Sequence, residues 1–161
     1  MTIRKATLSD ALSIAKVHVQ SWHETYESIV NTEILNELSV ENKTLLWHKV
    51  IQDLNQEVLV FEENDKVLGF ADFYFHPQES FGEIRAIYLL KSIQGKGIGS
   101  DLIKRGLALF QKHGCREVHI EVFDQNPSRY FYEKLGAKCI DTEDASDYGV
   151  DLKILHYRIE I

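Results

Sequence analysis

The spacing of apolar residues changes several times along this chain, and each change marks an element. "IRKA", residues 3–6, reads as a short first strand. Thr7 and Asp10 stand at the spacing of a capping box, and behind them Ala11, Ile14, Ala15, His18 and Trp22 recur at helical intervals, which predicts a helix with one inward stripe. Ser39 can cap a second predicted helix, in which Leu46, Trp47, Val50, Ile51 and Leu54 recur at helical intervals. The period then shortens to that of strands. "EVLVFEENDKVLGFADFYF" contains two β-rich runs around Asn64-Asp65 and stops at His76-Pro77, the pattern of a hairpin.

"FGEIRAIYLL" alternates, with Ile84, Ala86, Tyr88 and Leu90 on one side and Glu83, Arg85, Ile87 and Leu89 on the other. Both sides are partly apolar, so the strand is expected to be central and covered on two faces. A helix with Ile98, Leu102, Ile103, Leu107 and Phe110 inward ends at Gly114, and "REVHIEVF" follows as a strand. Strand, helix, strand in that order implies a crossover between parallel neighbours. A short helix, "PSRYFYEKL", closes at Gly136; a strand around "KCI", an acidic loop "DTEDASDYGVD" and a final strand "LKILHYRIEI" complete the chain. This order predicts an α/β fold as a single domain over residues 1–161, three layers thick, with a mixed central sheet of about seven strands flanked by helices.

Composition narrows the partners. The 161 residues carry a formal net charge of −7, which disfavours nucleic acid, since phosphate binding draws on an excess of Lys and Arg. No apolar run approaches the ~20 residues of a membrane span, and the N-terminal stretch "MTIRKATLSDAL" lacks the apolar core of a secretory signal. A cytoplasmic protein without membrane association is the expectation. Cys115 and Cys139 lie far apart, with no CxxC pair and no histidines at ligand spacing. They read as two reduced, mostly buried thiols, with neither a metal site nor a nucleophile implied.

The chemistry centres on "QGKGIGS", residues 94–100, between a strand and a helix. A helix start presents unpaired N–H groups at the positive end of the helix dipole, and glycines let the chain approach an anion; a merely tight turn would use the same residues. A P-loop would need glycine where Leu90 stands and Ser or Thr after the lysine, where Gly97 stands. A dinucleotide fingerprint begun at Gly95 meets Ser100, and begun at Gly97 it meets Leu102, in place of its third glycine. Glu121, at the end of the next strand, is the one residue that suits a dinucleotide-dependent oxidoreductase.

What remains is Gln94-x-x-Gly97-x-Gly99, and with the later "NPSRYFYEKLGA" and the order of elements the chain resembles the GNAT superfamily of N-acetyltransferases. The resemblance implies acetyl-CoA as co-substrate, no metal, and direct transfer of the acetyl group to a primary amine of a small molecule or peptide. It also favours a homodimer. A non-catalytic acyl-CoA-binding or regulatory domain on the same fold is the alternative from another class.

By that resemblance, Gln94, Gly95, Lys96, Gly97, Ile98, Gly99 and Ser100 hold the CoA diphosphate. The strand before the loop carries a bulge and splays from its parallel neighbour, so that Ile87, Tyr88 and Leu89 offer backbone groups to the pantetheine arm. The Ile87 amide polarises the thioester carbonyl. Glu83, eleven residues before Gln94, matches the general base of some members and alternates onto the face of Ile87; its plainer reading is a strand glutamate paired with Arg85 or a neighbour. His76, Glu79 and His119 stand in reserve as bases acting through water. Tyr132 matches the tyrosine that protonates the departing thiolate, against a packing role, although Ala137 replaces the usual phenylalanine. Asn126 before Pro127 reads as a helix cap and also as a pantetheine ligand. Tyr26, past the end of the apolar stripe, and the acidic residues from Asp141 to Asp151 border the acceptor side.

Overall fold

The computed structural model describes residues 1–161. Seven strands form one sheet: β1 (Thr2–Lys5), β2 (Gln56–Glu63), β3 (Lys66–Phe75), β4 (Phe81–Leu89), β5 (Glu117–Phe123), β6 (Lys138–Asp144) and β7 (Lys153–Glu160). Their spatial order is β1-β2-β3-β4-β5-β7-β6. Only β4 and β5 run parallel, joined by α4 (Ile98–Lys112) as the strand-helix-strand pattern predicts. The helices α1 (Ala11–Tyr26), α2 (Thr32–Asn36) and α3 (Val40–Gln52) precede β2, and α5 (Ser128–Lys134) follows β5.

Two cores lie on opposite faces of the sheet. Ala11, Ile14, Ala15 and Trp47 from α1 and α3 pack with Val58, Val60, Phe70 and Ala86. Leu102, Ile103 and Phe110 of α4 pack with Phe73, Ile84, Val118 and Ile120. A third, smaller cluster gathers Tyr26, Val30, Leu35, Ala145 and Leu152, tying the end of α1 to the connection between β6 and β7. The caps form where the sequence places them. Asp10 accepts the Thr7 backbone N–H at 2.7 Å, the Ser39 hydroxyl accepts the Asn42 N–H at 3.2 Å, and Asn64 and Asp65 adopt the positive φ of a two-residue hairpin turn.

Four expectations need correction. Leu54 lies past the end of α3 and is exposed, because Asp53 takes an extended conformation and its carboxylate accepts the Asn55 N–H at 2.9 Å, a local turn that competes with the helix. Cys139 is exposed on β6, so only Cys115 is a buried thiol. The first part of the acidic loop is strand: β6 continues through Asp144 in antiparallel pairing with β7. As the edge strand it is exposed along its whole length, where charge discourages pairing with another chain.

The fourth correction concerns β4. Phe73 pairs with Ile84 and Asp72 with Ala86, so Arg85 is an extra residue in a bulge. A bulge breaks the alternation of side chains. Ile84 therefore joins Ile87 and Leu89 on the α4 side, while Ala86, Tyr88 and Leu90 face α1 and α3. Glu83, one step before Ile84, lies on the face opposite Ile87, not on the same one.

Candidate functional site

The glycine loop is built by backbone geometry. Gly95 and Gly97 have φ of +73° and +81°, and a Cβ at either would meet nothing within 4 Å. The requirement for glycine is conformational and not spatial. Gly97 caps α4, whose first internal bond runs from the Asp101 N–H to the Gly97 carbonyl at 3.0 Å. The N–H groups from Gly95 to Ser100 consequently have no acceptor within the protein. Gln94 braces the loop, its Nε2 donating to the Leu89 carbonyl at 2.9 Å. Ile98 is buried in the α4-side core and Lys96 is exposed.

Beside this loop the sheet opens. β4 and β5 pair from Phe81–Glu117 to Ile84–Ile120 and no further, leaving the β5-facing backbone groups from Arg85 onward without a strand partner. The result is a cleft of about 700 Å³. It brings together Ile87, Tyr88, Leu89, Gln94, Gly95, Gly97, Gly99, Ser100, Asn126 and Tyr132 from the predicted set. Lys96, Ile98 and Glu83 do not line it.

Tyr132 and Tyr26 are buried at the cleft, and burial raises both hydroxyl pKa values, so both stay protonated at neutral pH. Asn126 is buried and engaged on both sides: its Oδ1 accepts the Ser128 N–H at 2.9 Å and its Nδ2 donates to the Tyr26 hydroxyl at 2.8 Å. The capping role read from Asn126-Pro127 is thus present. Glu24, Ser21, Lys91, Glu121 and Phe131 also line the cleft. Only Glu121 gave a signal in the sequence, through its place at the end of a strand; the others sit on helix faces or turns that the splay turns toward the opening. His156 bridges Glu121 (3.4 Å) and Glu143 (3.0 Å) across β5, β7 and β6.

Glu83 lies elsewhere, in a polar cluster beyond the cleft. His76 Nε2 lies 2.8 Å and Arg85 Nε 3.2 Å from its carboxylate oxygens. Partial burial raises its pKa, but the hydrogen bonds from His76 and Arg85 outweigh burial and hold the carboxyl below the usual range. Arg85 stacks its guanidinium on Tyr74, 3.7 Å from the ring centre. The paired strand glutamate, the plainer of the two readings, is what the geometry displays.

The fold and this cleft can be compared with known proteins. The model of the acetyltransferase (GNAT) family matches residues 19–137. This chain belongs to that family. It is 35% identical to the uncharacterized N-acetyltransferase YuaI of Bacillus subtilis over 95% of its own length and 89% of the relative's. A spermidine N(1)-acetyltransferase of Thermoplasma acidophilum is 26% identical, covering 94% and 96% of the two chains. The crystal structure of the PaiA N-acetyltransferase from the same organism, in complex with coenzyme A, superposes with a TM-score of 0.85 over 99% and 98% of the chains at 23% identity. The GNAT chain is accordingly an acetyltransferase, and it shares the fold of the PaiA structure. No helix is long and apolar enough to cross a membrane.

Proposed function

We propose that this GNAT enzyme binds acetyl-CoA in the β4–β5 cleft and passes its acetyl group directly to the primary amine of a small cationic acceptor. Acetyl transfer is the activity of the family; the residue roles are our reading. The observation that carries it is the run of N–H groups from Gly95 to Ser100, unbonded within the protein and opening on the same cleft as the splayed backbone of β4. A diphosphate fits such donors at a helix start without needing a charged side chain, and Lys96 beside them adds positive charge. Ile98 contributes its amide while its side chain anchors the loop in the core.

The thioester lies along Ile87, Tyr88 and Leu89, with the Ile87 amide stabilising the oxyanion. Tyr132 carries its proton at neutral pH and lines the cleft, where its hydroxyl can hydrogen-bond to the departing thiolate and pass it that proton. Asn126, besides capping α5, holds Tyr26 at the cleft wall and offers its remaining amide hydrogen to the pantetheine. Glu83 acts through Arg85, fixing a guanidinium that lines the cleft. Glu24 and Glu121 line the same opening, and with the net charge of −7 they favour a cationic amine. Spermidine, the substrate for which the Thermoplasma relative is named, is of this class.

Release of free thiol from acetyl-CoA, measured against spermidine, 1,4-diaminobutane, amino acids and lysine peptides, tests the reading. Turnover with at least one amine is expected. Binding of acetyl-CoA with no thiol release across the panel would return the chain to a binding module.

A further inference from the structure

A second cavity of about 370 Å³ lies between α3 and the sheet, and it shares Arg85, Ala86 and Tyr88 with the acetyl-CoA cleft. Its other walls are the apolar Leu46, Trp47 and Val50 and the polar His18, Gln56 and Asp72. At its base is Asp72, only 2% exposed. The Asp72 Oδ1 is shielded from solvent and has no hydrogen-bond partner. A buried carboxylate without a partner is costly, so its presence in a cavity calls for a ligand that supplies the missing donor.

Each group facing Asp72 fails to supply one. Arg85, across the strand pair, is turned to Glu83 and Tyr74 instead. His18 on α1 is buried, and its Nδ1 accepts the Trp47 indole N–H at 3.0 Å. Its pKa is pushed down to about 4 by burial and then by Lys43, so it is neutral. Gln56 on β2 donates to Asp53 at 2.8 Å, and Asp53 adds negative charge nearby. Tyr88 on β4 stacks on His18, ring centres 5.0 Å apart.

We propose that this second cavity is the acceptor subsite of the acetyl transfer proposed above, and that Asp72 receives the acceptor's ammonium and removes its proton. The position supports the step: Asp72 pairs with Ala86, the residue before Ile87 on β4, whose amide is assigned to the thioester. An N–H proton passes from the ammonium to the carboxylate. The freed lone pair forms the C–N bond to the acetyl carbon, and the C–S bond breaks as the tetrahedral intermediate collapses. The thiolate takes the Tyr132 hydroxyl proton, the second N–H proton passes to the resulting tyrosinate and restores Tyr132, and the proton on Asp72 leaves to solvent as the one net H⁺ of the reaction.

Burial, partly offset by Arg85, raises the Asp72 pKa to about 7. An alkylammonium titrates near ~10, so its proton transfer to Asp72 is uphill by roughly 3 units, against roughly 6 for an ordinary carboxyl.

The test uses the full chain and the isosteric Asp72→Asn. With spermidine and n-butylamine as acceptors, the variant is expected to lose on the order of 10²-fold in kcat/KM for the amine, to keep its acetyl-CoA affinity, and to lose the acidic limb of the pH–rate profile. Asp72→Glu is expected to recover part of the rate. A wild-type enzyme active beside an equally active Asp72→Asn, with the same pH profile, overturns the assignment while leaving acetyl transfer intact. Independently of turnover, the ¹³C resonance of the Asp72 carboxyl should shift saturably on adding n-butylammonium to the protein saturated with free CoA, where no acetyl group is available for transfer. A resonance that does not respond overturns the subsite even if no amine is acetylated, whereas an inactive wild type with a responsive Asp72 overturns the transfer reading alone.

Discussion

The two halves of β4 make their sites by different means. At its C-terminal end, running into Gly97, the site consists of main-chain N–H groups fixed by local backbone conformation. In its N-terminal half, around the bulge at Arg85, it consists of side chains whose neighbours are chosen by strand register. The first kind is written into a few consecutive residues. In the second, one extra residue decides whether Glu83 and Ile87 share a face. The same contrast separates Asp72 from Glu83: both face the α1 and α3 side of the sheet, yet one is unpartnered with a raised pKa and the other is doubly bonded with a lowered one.

Changes that break one half and leave the other test this division. The largest effect on coenzyme binding is expected from Gly97→Val. A β-branched residue at φ of +81° is strained by roughly 2 kcal/mol even in open space. Rotating the peptide to relieve it misdirects the N–H groups, so acetyl-CoA affinity, read by calorimetry, should fall roughly 30-fold. The n-butylammonium response at Asp72 should persist.

A stability measurement addresses the other half. The Asp72 pKa lies above its unfolded value, so its stabilising contribution is present below about 4 and lost as pH rises through about 7. His18 lies below its unfolded value of 6.5, so its contribution is lost as pH falls toward about 4. Between those limits the two slopes oppose each other. Removing the carboxylate in Asp72→Asn should raise Tm at pH 8 by roughly 5 °C, at about 1.4 kcal/mol per pKa unit and about 2–4 °C per kcal/mol, reduced by burial of the amide. It should also expose the acid-side loss due to His18. A melting curve identical to wild type at pH 8 would mean that Asp72 is not the buried charge described.

Tyr132→Phe comes next, at roughly 10-fold in kcat with acetyl-CoA affinity unchanged. Equal loss of both would return Tyr132 to packing. This residue also shows what the sequence could and could not say. Its place on a short helix after Asn126-Pro127 follows from local letters, as do the hairpin at Asn64-Asp65, the cap at Ser39 and the turn at Gly95 and Gly97. Resemblance indicated a bulge in the strand before the loop. Simple alternation still put Glu83 beside Ile87, because a bulge has no local marker such as glycine at Arg85. Asp72 was invisible for a related reason: "GFADFYF" reads as an ordinary strand, and only the packing of α1 and α3 determines which strand residue is sealed from water. Leu54 and the strand through Asp144 were missed where an Asx turn and cross-strand pairing overrode local preference.

The smallest expected effect is the most discriminating. Glu83 holds Arg85 away from Asp72, with Nε 3.2 Å from its carboxylate and the guanidinium stacked on Tyr74. Glu83→Gln removes the charge that pairs with Arg85 while leaving the pocket's volume almost unchanged. The guanidinium is then freer to turn toward the unpartnered carboxylate one strand away. An approaching cation lowers the Asp72 pKa, which weakens it as a base and draws the acidic limb of the pH–rate profile to lower pH. The loss in kcat/KM should be roughly 3-fold, far below that of Asp72→Asn. If Glu83 were itself the proton acceptor, the acidic limb would vanish instead of moving, and the loss would match or exceed that of Asp72→Asn. The direction in which the limb moves thus separates a positioning carboxylate from a base, which rate alone at a single pH does not do.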